Sequence, residues 1–284
     1  MRIAIASGKG GTGKTTVAVN LALALGSAQL LDCDVEEPNC NLFLGFDMEK
    51  QEDVFLPYPV IDQHKCTLCG RCADICQFNA IASLSKSIML FPKLCHGCGG
   101  CSLICCEGAI LEKVRSIGTI EKGIDDSFNI ELLHGILNIS EPMASPVIRQ
   151  LQEHIDDSTV VIIDSPPGTA CPVIAAVADM DYCVLVTEPT PFGLNDLVLA
   201  VDVVRQIGIP FGVVINRHGI GDDAVEEYCH AENIPILLKI PFGRDIAVLY
   251  SKGIPFVKEM PEWGSNFRDM YRNICGCISS ESGV

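Results

Sequence analysis

The chain has 284 residues, of which 48% are hydrophobic, and a formal net charge of −16 at pH 7. The length allows a large core, while the acidic balance argues against nucleic acid or an anionic membrane surface as the main partner, because both need a basic footprint. No apolar run approaches the roughly 20 residues of a membrane span, so we expect a cytoplasmic protein without membrane insertion. In a reducing compartment its 16 cysteines indicate metal ligands rather than disulfides.

A glycine-rich loop, GKGGTGKTT at 8–16, follows a predicted strand at 3–6 and precedes a predicted helix at 17–25. It fits the pattern G-x-x-x-x-G-K-T, in which backbone N–H groups surround a phosphate at the start of a helix. In this pattern Lys14 reaches the outer phosphates and the Thr15 hydroxyl ligates magnesium. We therefore expect ATP or ADP with Mg²⁺ as cofactors. The expected phosphate-binding residues are Gly10, Gly11, Thr12, Gly13, Lys14, Thr15 and Thr16.

The same loop also permits a dinucleotide-binding interpretation. Gly8, Gly10 and Gly13 satisfy G-x-G-x-x-G, and acidic residues follow at Asp32 and Asp34. That motif alone is weak, and it has no need of the lysine and threonine at 14 and 15. We therefore favour the ATP site.

Acidic residues end two predicted strands that can lie beside this loop. A strand at 29–32 leads into Asp34, and a strongly β-branched run at 159–163 leads into Asp164 and a Pro-Pro-Gly turn. A fully apolar strand of the second kind is typical of the middle of a parallel sheet. We expect Asp164 to bind magnesium through water, as the partner of Thr15.

A duplicated cysteine pattern lies between these motifs. Cys66-x2-Cys69-x2-Cys72-x3-Cys76 recurs with every cysteine displaced by 29 residues, starting at Cys95. Three cysteines at x2 spacing hold one cluster, and the fourth reaches the other. The pattern predicts two 4Fe-4S clusters, one on Cys66, Cys69, Cys72 and Cys105, the other on Cys95, Cys98, Cys101 and Cys76. Cys106, next to Cys105, is an alternative candidate for that fourth ligand. Two zinc sites would not explain the third and fourth cysteines of each run.

The cysteine-rich segment interrupts an alternation of strands and helices. We predict strands at 118–120, 128–132, 182–187, 211–216 and 234–240, and helices at 146–153, 194–207, 222–232, 245–251 and 266–274, with Ser145 capping the first. Such alternation favours a doubly wound, mostly parallel α/β sheet. Residues 1–56 and 115–284 would form this P-loop domain. Residues 57–114, starting where Pro57-Tyr58-Pro59 breaks the pattern, would form an inserted α+β domain resembling a bacterial ferredoxin.

The second loop lysine, Lys9, makes this P-loop similar to the deviant Walker A loop of the MinD/ParA superfamily, which includes the nitrogenase iron protein and the Mrp/Nbp35 cluster carriers. The resemblance implies a SIMIBI-class NTPase fold and Mg-dependent ATP hydrolysis in a homodimer or a heterodimer with a related ATPase. By similarity, Lys9 would cross to the partner's phosphates and Asp34 would orient the hydrolytic water. The expected adenine-site residues are Asn216, Arg217, Pro241 and Phe242.

Three functions follow from these patterns. The first is an ATPase whose dimer rearrangement controls electron transfer through two clusters to a redox or metallocluster partner. The second is a cluster assembly or carrier ATPase, disfavoured because the C-P-x-C pair of those carriers is missing, although Cys275 and Cys277 could bind metal. The third is a spatial organiser with structural clusters, disfavoured by the acidic charge and the lack of a basic tail. Four further thiols, at Cys33, Cys40, Cys171 and Cys183, are expected in or near the core.

Overall fold

A computed structural model describes residues 1–125 and 129–281, and within them the main element is a nine-stranded sheet. Its strand order is β11-β10-β9-β1-β8-β2-β7-β6-β3, and β4 and β5 form a separate pair. The strands are β1 (Arg2–Ala6), β2 (Ala28–Asp32), β3 (Glu49–Ile61), β4 (Ile81–Ser83), β5 (Ile88–Leu90), β6 (Ile110–Asp125), β7 (Ile130–Leu137), β8 (Val161–Asp164), β9 (Tyr182–Thr187), β10 (Phe211–His218) and β11 (Ile236–Pro241).

The structure has helices on both faces of this sheet and two short helices, at 71–74 and 100–104, in the segment between β3 and β6. They are α1 (Lys14–Leu25), α2 (Cys40–Leu44), α3 (Arg71–Asp74), α4 (Gly100–Ile104), α5 (Ser145–Gln152), α6 (Cys171–Val177), α7 (Pro191–Ile207), α8 (Ala224–Ala231), α9 (Arg244–Ser251), α10 (Phe256–Glu259) and α11 (Pro261–Glu281). Buried residues of α1, α2, α10 and α11 form one core layer, and those of α5 to α8 form the other. Within the described ranges, no helix has the length and apolar character needed to span a bilayer.

The sheet is mostly parallel, as predicted. The strands from β11 to β7 in the sheet order all pair in parallel, whereas β6 and β3 are added antiparallel at one edge. The β-branched run at 159–163 contributes β8, which is buried and lies between β1 and β2. The predicted central position of this strand is therefore confirmed. Because parallel strands end at a common edge, the loops after β1, β2, β8 and β9 meet there.

The segment Pro57-Tyr58-Pro59 does not break the pattern, contrary to the sequence prediction. It lies inside β3, the edge strand, which pairs with β6 from Glu49↔Lys122 to Ile61↔Ile110. An edge strand tolerates proline because N–H groups facing the open side have no partner to lose. The chain leaves and re-enters this strand pair at the directly paired residues Ile61 and Ile110.

The outer part of β3 and β6 forms a two-stranded ribbon, 57–61 paired with 110–114. It extends beyond the last pair that β6 makes with β7, Gly118↔Leu137. Since β3 runs in the same direction as the parallel strands, this ribbon projects from the edge that carries the glycine-rich loop. Residues 62–109, with α3, α4, β4 and β5, are connected through the ribbon.

Several element boundaries differ from the predictions by a few residues. The helix expected to be capped by Ser145 instead includes that residue, and Ala144 is its N-cap position. Ala144 is buried and already has helical dihedral angles, so the helical conformation starts one residue before Ser145. Phe128, from the strand predicted at 128–132, lies outside the described residues, and β7 begins at Ile130.

Candidate functional site

The glycine-rich loop connects β1 to α1 with two residues in left-handed conformations. Gly11 has φ 78° and Gly13 has φ 100°. A Cβ atom on Gly13 would lie 2.4 Å from the Asn216 amide nitrogen, so both its conformation and its surroundings require glycine. The helix starts at Lys14, and its unpaired N–H groups and positive dipole end therefore face the loop. This geometry suits an anion such as phosphate.

A buried acidic cluster lies beneath the loop. The Thr15 hydroxyl donates to Asp164 Oδ2 at 2.5 Å, whereas Asp164 Oδ1 is buried without a hydrogen-bond partner. Asp32 accepts from the backbone N–H groups of Asn39 and Cys40 at 2.8 and 2.9 Å. One potential ligand atom each from Asp32, Cys40 and Asp164 lie within 4.8 Å of one another.

Burial makes these carboxyl groups hard to ionise without a cation. It raises the pKa of Asp164 to about 8, and the nearby Asp32 adds to the effect while Lys14 opposes it. The pKa of Asp32 is raised by burial too, against the backbone hydrogen bonds that favour its charged form. For Asp34, burial raises the pKa to about 6, with Lys14 again opposing. The Asp164 oxygen without a partner and the neighbouring carboxylate fit a hard divalent cation such as Mg²⁺, which prefers oxygen ligands.

A cleft of about 380 Å³ opens above the loop and brings most of the predicted nucleotide-binding residues together. Its lining includes Gly10, Gly11, Gly13, Lys14, Thr15, Thr16, Asp34, Asn216, Arg217, Pro241 and Phe242. Thr12 is buried instead, and its carbonyl accepts from the Asn216 amide at 2.8 Å. The Arg217 N–H donates to Asn216 Oδ1 at 2.9 Å, so both ends of the Asn216 amide are hydrogen-bonded to backbone groups.

The second loop lysine is held within its own chain. Lys9 Nζ lies 2.9 Å from Glu188 Oε1, and Arg217 Nη1 lies 2.8 Å from Glu188 Oε2. Glu188 is 8% exposed and follows β9 directly. Burial raises the pKa of Glu188, but its bonds to Lys9 and Arg217 outweigh that, so the pKa is lowered overall and the carboxylate stays charged.

Two cavities contain the eight cysteines of the duplicated pattern. Cavity I is lined by Cys66, Cys69, Cys72 and Cys105, and cavity II by Cys76, Cys95, Cys98 and Cys101. Each cavity thus combines three cysteines of one run with the fourth of the other, as the sequence pattern led us to expect. Four thiol sulfurs around one cavity suit iron in a 4Fe-4S cluster.

Matching backbone contacts occur at the two fourth cysteines. The Ala80 N–H donates to Cys76 Sγ, and the Ala109 N–H donates to Cys105 Sγ, both at 3.3 Å. N–H donors to sulfur favour the anionic sulfur that a cluster needs. Cys106 Sγ instead accepts from the Arg71 guanidinium and lies 3.8 Å from the Ile104 carbonyl, so the matching contact supports Cys105 as the fourth ligand of cavity I.

Three residues of this region were not predicted for the ATP site. Asp32 was a candidate only in the dinucleotide alternative, Cys40 was expected in or near the core, and Glu188 was not a candidate. A usable signal did exist, because Asp32, Asp164 and Glu188 all stand at or just past the ends of buried strands. Among the other thiols, Cys33 and Cys183 are buried as expected, but Cys171 is exposed because it starts α6 at the surface.

The chain is similar to known nucleotide-binding proteins over most of its length. Residues 3–256 match the family described as CobQ/CobB/MinD/ParA nucleotide binding domain. An uncharacterized protein of Methanocaldococcus jannaschii is 32% identical, covering 91% of this chain and 92% of the relative. An iron-sulfur cluster carrier protein of Pyrococcus horikoshii is 25% identical, covering 90% and 79%. The septum site-determining protein MinD of P. horikoshii, solved with Mg-ADP, superimposes with a TM-score of 0.61 at 20% identity, covering 100% and 99%.

Proposed function

Because this chain belongs to the CobQ/CobB/MinD/ParA nucleotide-binding family, we propose that it is an ATPase that couples rearrangement of a nucleotide-bound dimer to electron transfer through two 4Fe-4S clusters. The electrons would pass to a redox or metallocluster protein. One observation carries the proposal: a nucleotide cleft and two four-cysteine cavities belong to one chain, and the ribbon leading to the cavities leaves the sheet at the edge that forms the cleft.

The nucleotide cleft has the groups that phosphoryl transfer requires. Lys14 and the loop N–H groups would hold the β- and γ-phosphates, while Thr15 and Asp164, the latter through water, would hold the magnesium ion. Bound Mg²⁺ would neutralise charge that develops on the phosphate oxygens. Asp34 faces the same cleft, and its carboxylate would orient the attacking water. Asn216, Arg217, Pro241 and Phe242 would enclose the base.

The proposed dimer supplies the second loop lysine. In the single chain Lys9 is paired with Glu188, which also pairs with Arg217 of the cleft lining. In the dimer, Lys9 would leave Glu188 and contact the phosphates bound by the other subunit. Lys9 would thus exchange the Glu188 carboxylate for nucleotide phosphates. Closure of the dimer would therefore depend on bound nucleotide, as a two-state element requires.

The cysteine cavities support a ferredoxin-like inserted domain over 57–114. Their crossed cysteine sets and the matching N–H to sulfur contacts repeat in both halves of the segment. Cavity II is lined by Pro57, Tyr58 and Pro59, and cavity I by Ile61 and Ile110. Cavity II therefore lies nearer the sheet along the ribbon, and cavity I lies farther out.

Anaerobic reduction kinetics test the proposed coupling. Protein purified without oxygen should contain about eight irons per chain. With dithionite as the electron donor, it should reduce an oxidised acceptor protein faster with Mg-ATP than with Mg-ADP. A Lys14→Ala variant with the same iron content is the control and should show no ATP effect. Equal rates in the wild-type protein would contradict the coupling, and bound zinc in place of iron would contradict the clusters.

A second candidate is delivery of a cluster to another protein. It is favoured by the similarity to an iron-sulfur cluster carrier protein. Cys275 and Cys277 lie on α11, and Cys277 packs against the core layer that α1 and α11 share. If the chain is a carrier, labelled iron should pass to an apo-acceptor protein. If the transfer requires both Cys275 and Cys277, these thiols take part in cluster delivery.

A further inference from the structure

The two cysteine cavities are built from a duplicated sequence but differ in size and lining. Cavity I has a volume of about 260 Å³, and cavity II of about 30 Å³. Phe78 stacks on His96 beside cavity II, with ring centroids 3.6 Å apart and planes 8° from parallel. The corresponding residues at cavity I are Glu107 and Thr67, which form no such cover.

Cavity I also contains a fifth cysteine. Cys106 lines it together with the four predicted ligands, whereas the equivalent position in the first half of the duplication is Gln77. Arg71 Nη1 donates to Cys106 Sγ at 3.1 Å. The position equivalent to Arg71 is Gly100, so both partners in this contact are specific to cavity I.

The fifth thiol is adjacent to the fourth ligand but is not in its place. Cys105 Sγ receives the Ala109 N–H and packs against the small core of the segment, while Cys106 is exposed. The Cys106 thiol donates to the Ile104 carbonyl at 3.8 Å, and its sulfur accepts from Arg71. The sulfurs of two adjacent residues thus line the same cavity.

We propose that Cys106 is an alternate ligand of the 4Fe-4S cluster in cavity I and can replace Cys105 there. This rests on the proposed function only in requiring that cavity I holds such a cluster. In the exchange one iron–sulfur bond to Cys105 breaks and one to Cys106 forms, while the Cys106 proton passes to the released Cys105 sulfur. Charge, coordination number and oxidation state are unchanged. Cavity II, with Gln77 at this position, has no alternate thiol.

Single alanine variants of the two fourth cysteines give a matched test, because alanine cannot bind iron. Cys105→Ala should retain about eight irons per chain. It should show no 3Fe-4S signal in its electron paramagnetic resonance spectrum. Cys76→Ala should lose at least one iron per chain and show that signal. Cys105→Ala combined with Cys106→Ala should behave like Cys76→Ala. Fluorescent nucleotide binding by each variant reports that the ATPase part is folded.

The proposal is overturned if Cys105→Ala loses iron as Cys76→Ala does, or if the double variant retains as much iron as Cys105→Ala. Cys106→Ala alone keeps all eight predicted ligands and provides a second measurement. It should contain full iron but release the iron of one cluster to a chelator several-fold faster than the wild-type protein does, and equal release would also overturn the proposal. A wild-type protein without iron would instead overturn the proposed function.

Discussion

The pairing of Lys9 with Glu188 is the residue-scale feature that the sequence did not predict. About 180 positions separate the two residues, and they meet because β9 lies beside β1. A lysine held at 2.9 Å by a carboxylate within its own chain is not free to contact a second subunit. The pair therefore sets a condition on closure of the proposed dimer.

Replacing Lys9 should separate nucleotide binding from hydrolysis. We expect Lys9→Ala to bind nucleotide with nearly unchanged affinity, since Lys14 remains, while its hydrolysis rate falls on the order of a hundredfold. Steady-state phosphate release and fluorescent nucleotide titration measure the two effects. Lys14→Ala is the comparison and should lose binding itself. Undiminished turnover in Lys9→Ala would make Lys9 an ordinary loop lysine.

Neutralising Glu188 should make the proposed dimer form more readily. Glu188→Gln keeps the side-chain shape but removes the charge that holds Lys9 and Arg217. Hydrolysis should then reach half its maximal specific rate at a lower protein concentration, because no ion pair with residue 188 has to break before Lys9 contacts the other subunit. Glu232→Gln, which breaks an exposed pair with Arg205, serves as control. An unchanged concentration dependence would show that the pair does not restrain closure.

The pKa of Asp164 predicts how stability without metal depends on pH. Its folded-state pKa is raised from 3.8 to about 8, so between these values the folded protein binds more protons than the unfolded chain. This group's contribution therefore makes stability fall as pH rises through that window. Thermal unfolding in chelator at several pH values should show a steeper decline for the wild type than for Asp164→Asn. Parallel curves would contradict the assigned shift.

At the scale of elements, most of the parallel sheet could be predicted because each strand carries its own signal. The strand at 182–187 was predicted with the bounds that β9 has, and the apolar run before Asp164 marked β8 as central. The edge strand β3 was missed because its two prolines and charged residues carry no apolar alternation, and its pairing with β6 spans the whole cysteine segment. Strand pairing across such a distance is not encoded locally.

The paired ends of β3 and β6 predict that residues 63–108 can be replaced by a tight turn. Joining Asp62 to Ala109 through Asn-Gly would give a two-residue hairpin at a backbone hydrogen bond that already exists, since the Asp62 N–H donates to the Ala109 carbonyl at 2.7 Å. This shortened chain should fold and bind nucleotide with affinity close to that of the full chain, while containing no iron. Circular dichroism and nucleotide titration measure both properties. Loss of nucleotide binding would show that the segment is needed for the sheet.

On the scale of the whole molecule, residue spacing alone could predict only the parts of the site that one short motif contains, whereas Asn216, Arg217, Pro241 and Phe242 were expected from the family resemblance. The loop at 8–16 and the cysteine runs are local, so their residues were identified from spacing alone. The cluster of Asp32, Cys40 and Asp164 depends on β2 and β8 being neighbours, and the unequal cavities depend on side chains packed around a pseudo-twofold arrangement. Such relations are determined by the assembled fold.

The length of the ribbon formed by 57–61 and 110–114 sets how far the cysteine cavities lie from the sheet. Each added residue pair lengthens a strand by about 3.3 Å, and a two-pair addition preserves which side chains face which side. Two additional pairs would therefore move cavity I about 7 Å farther from the sheet edge. Neither the nucleotide cleft nor a single cysteine would be altered. The number of residue pairs in this ribbon therefore sets the distance between the nucleotide cleft and the cysteine cavities, and it can be changed without altering either site.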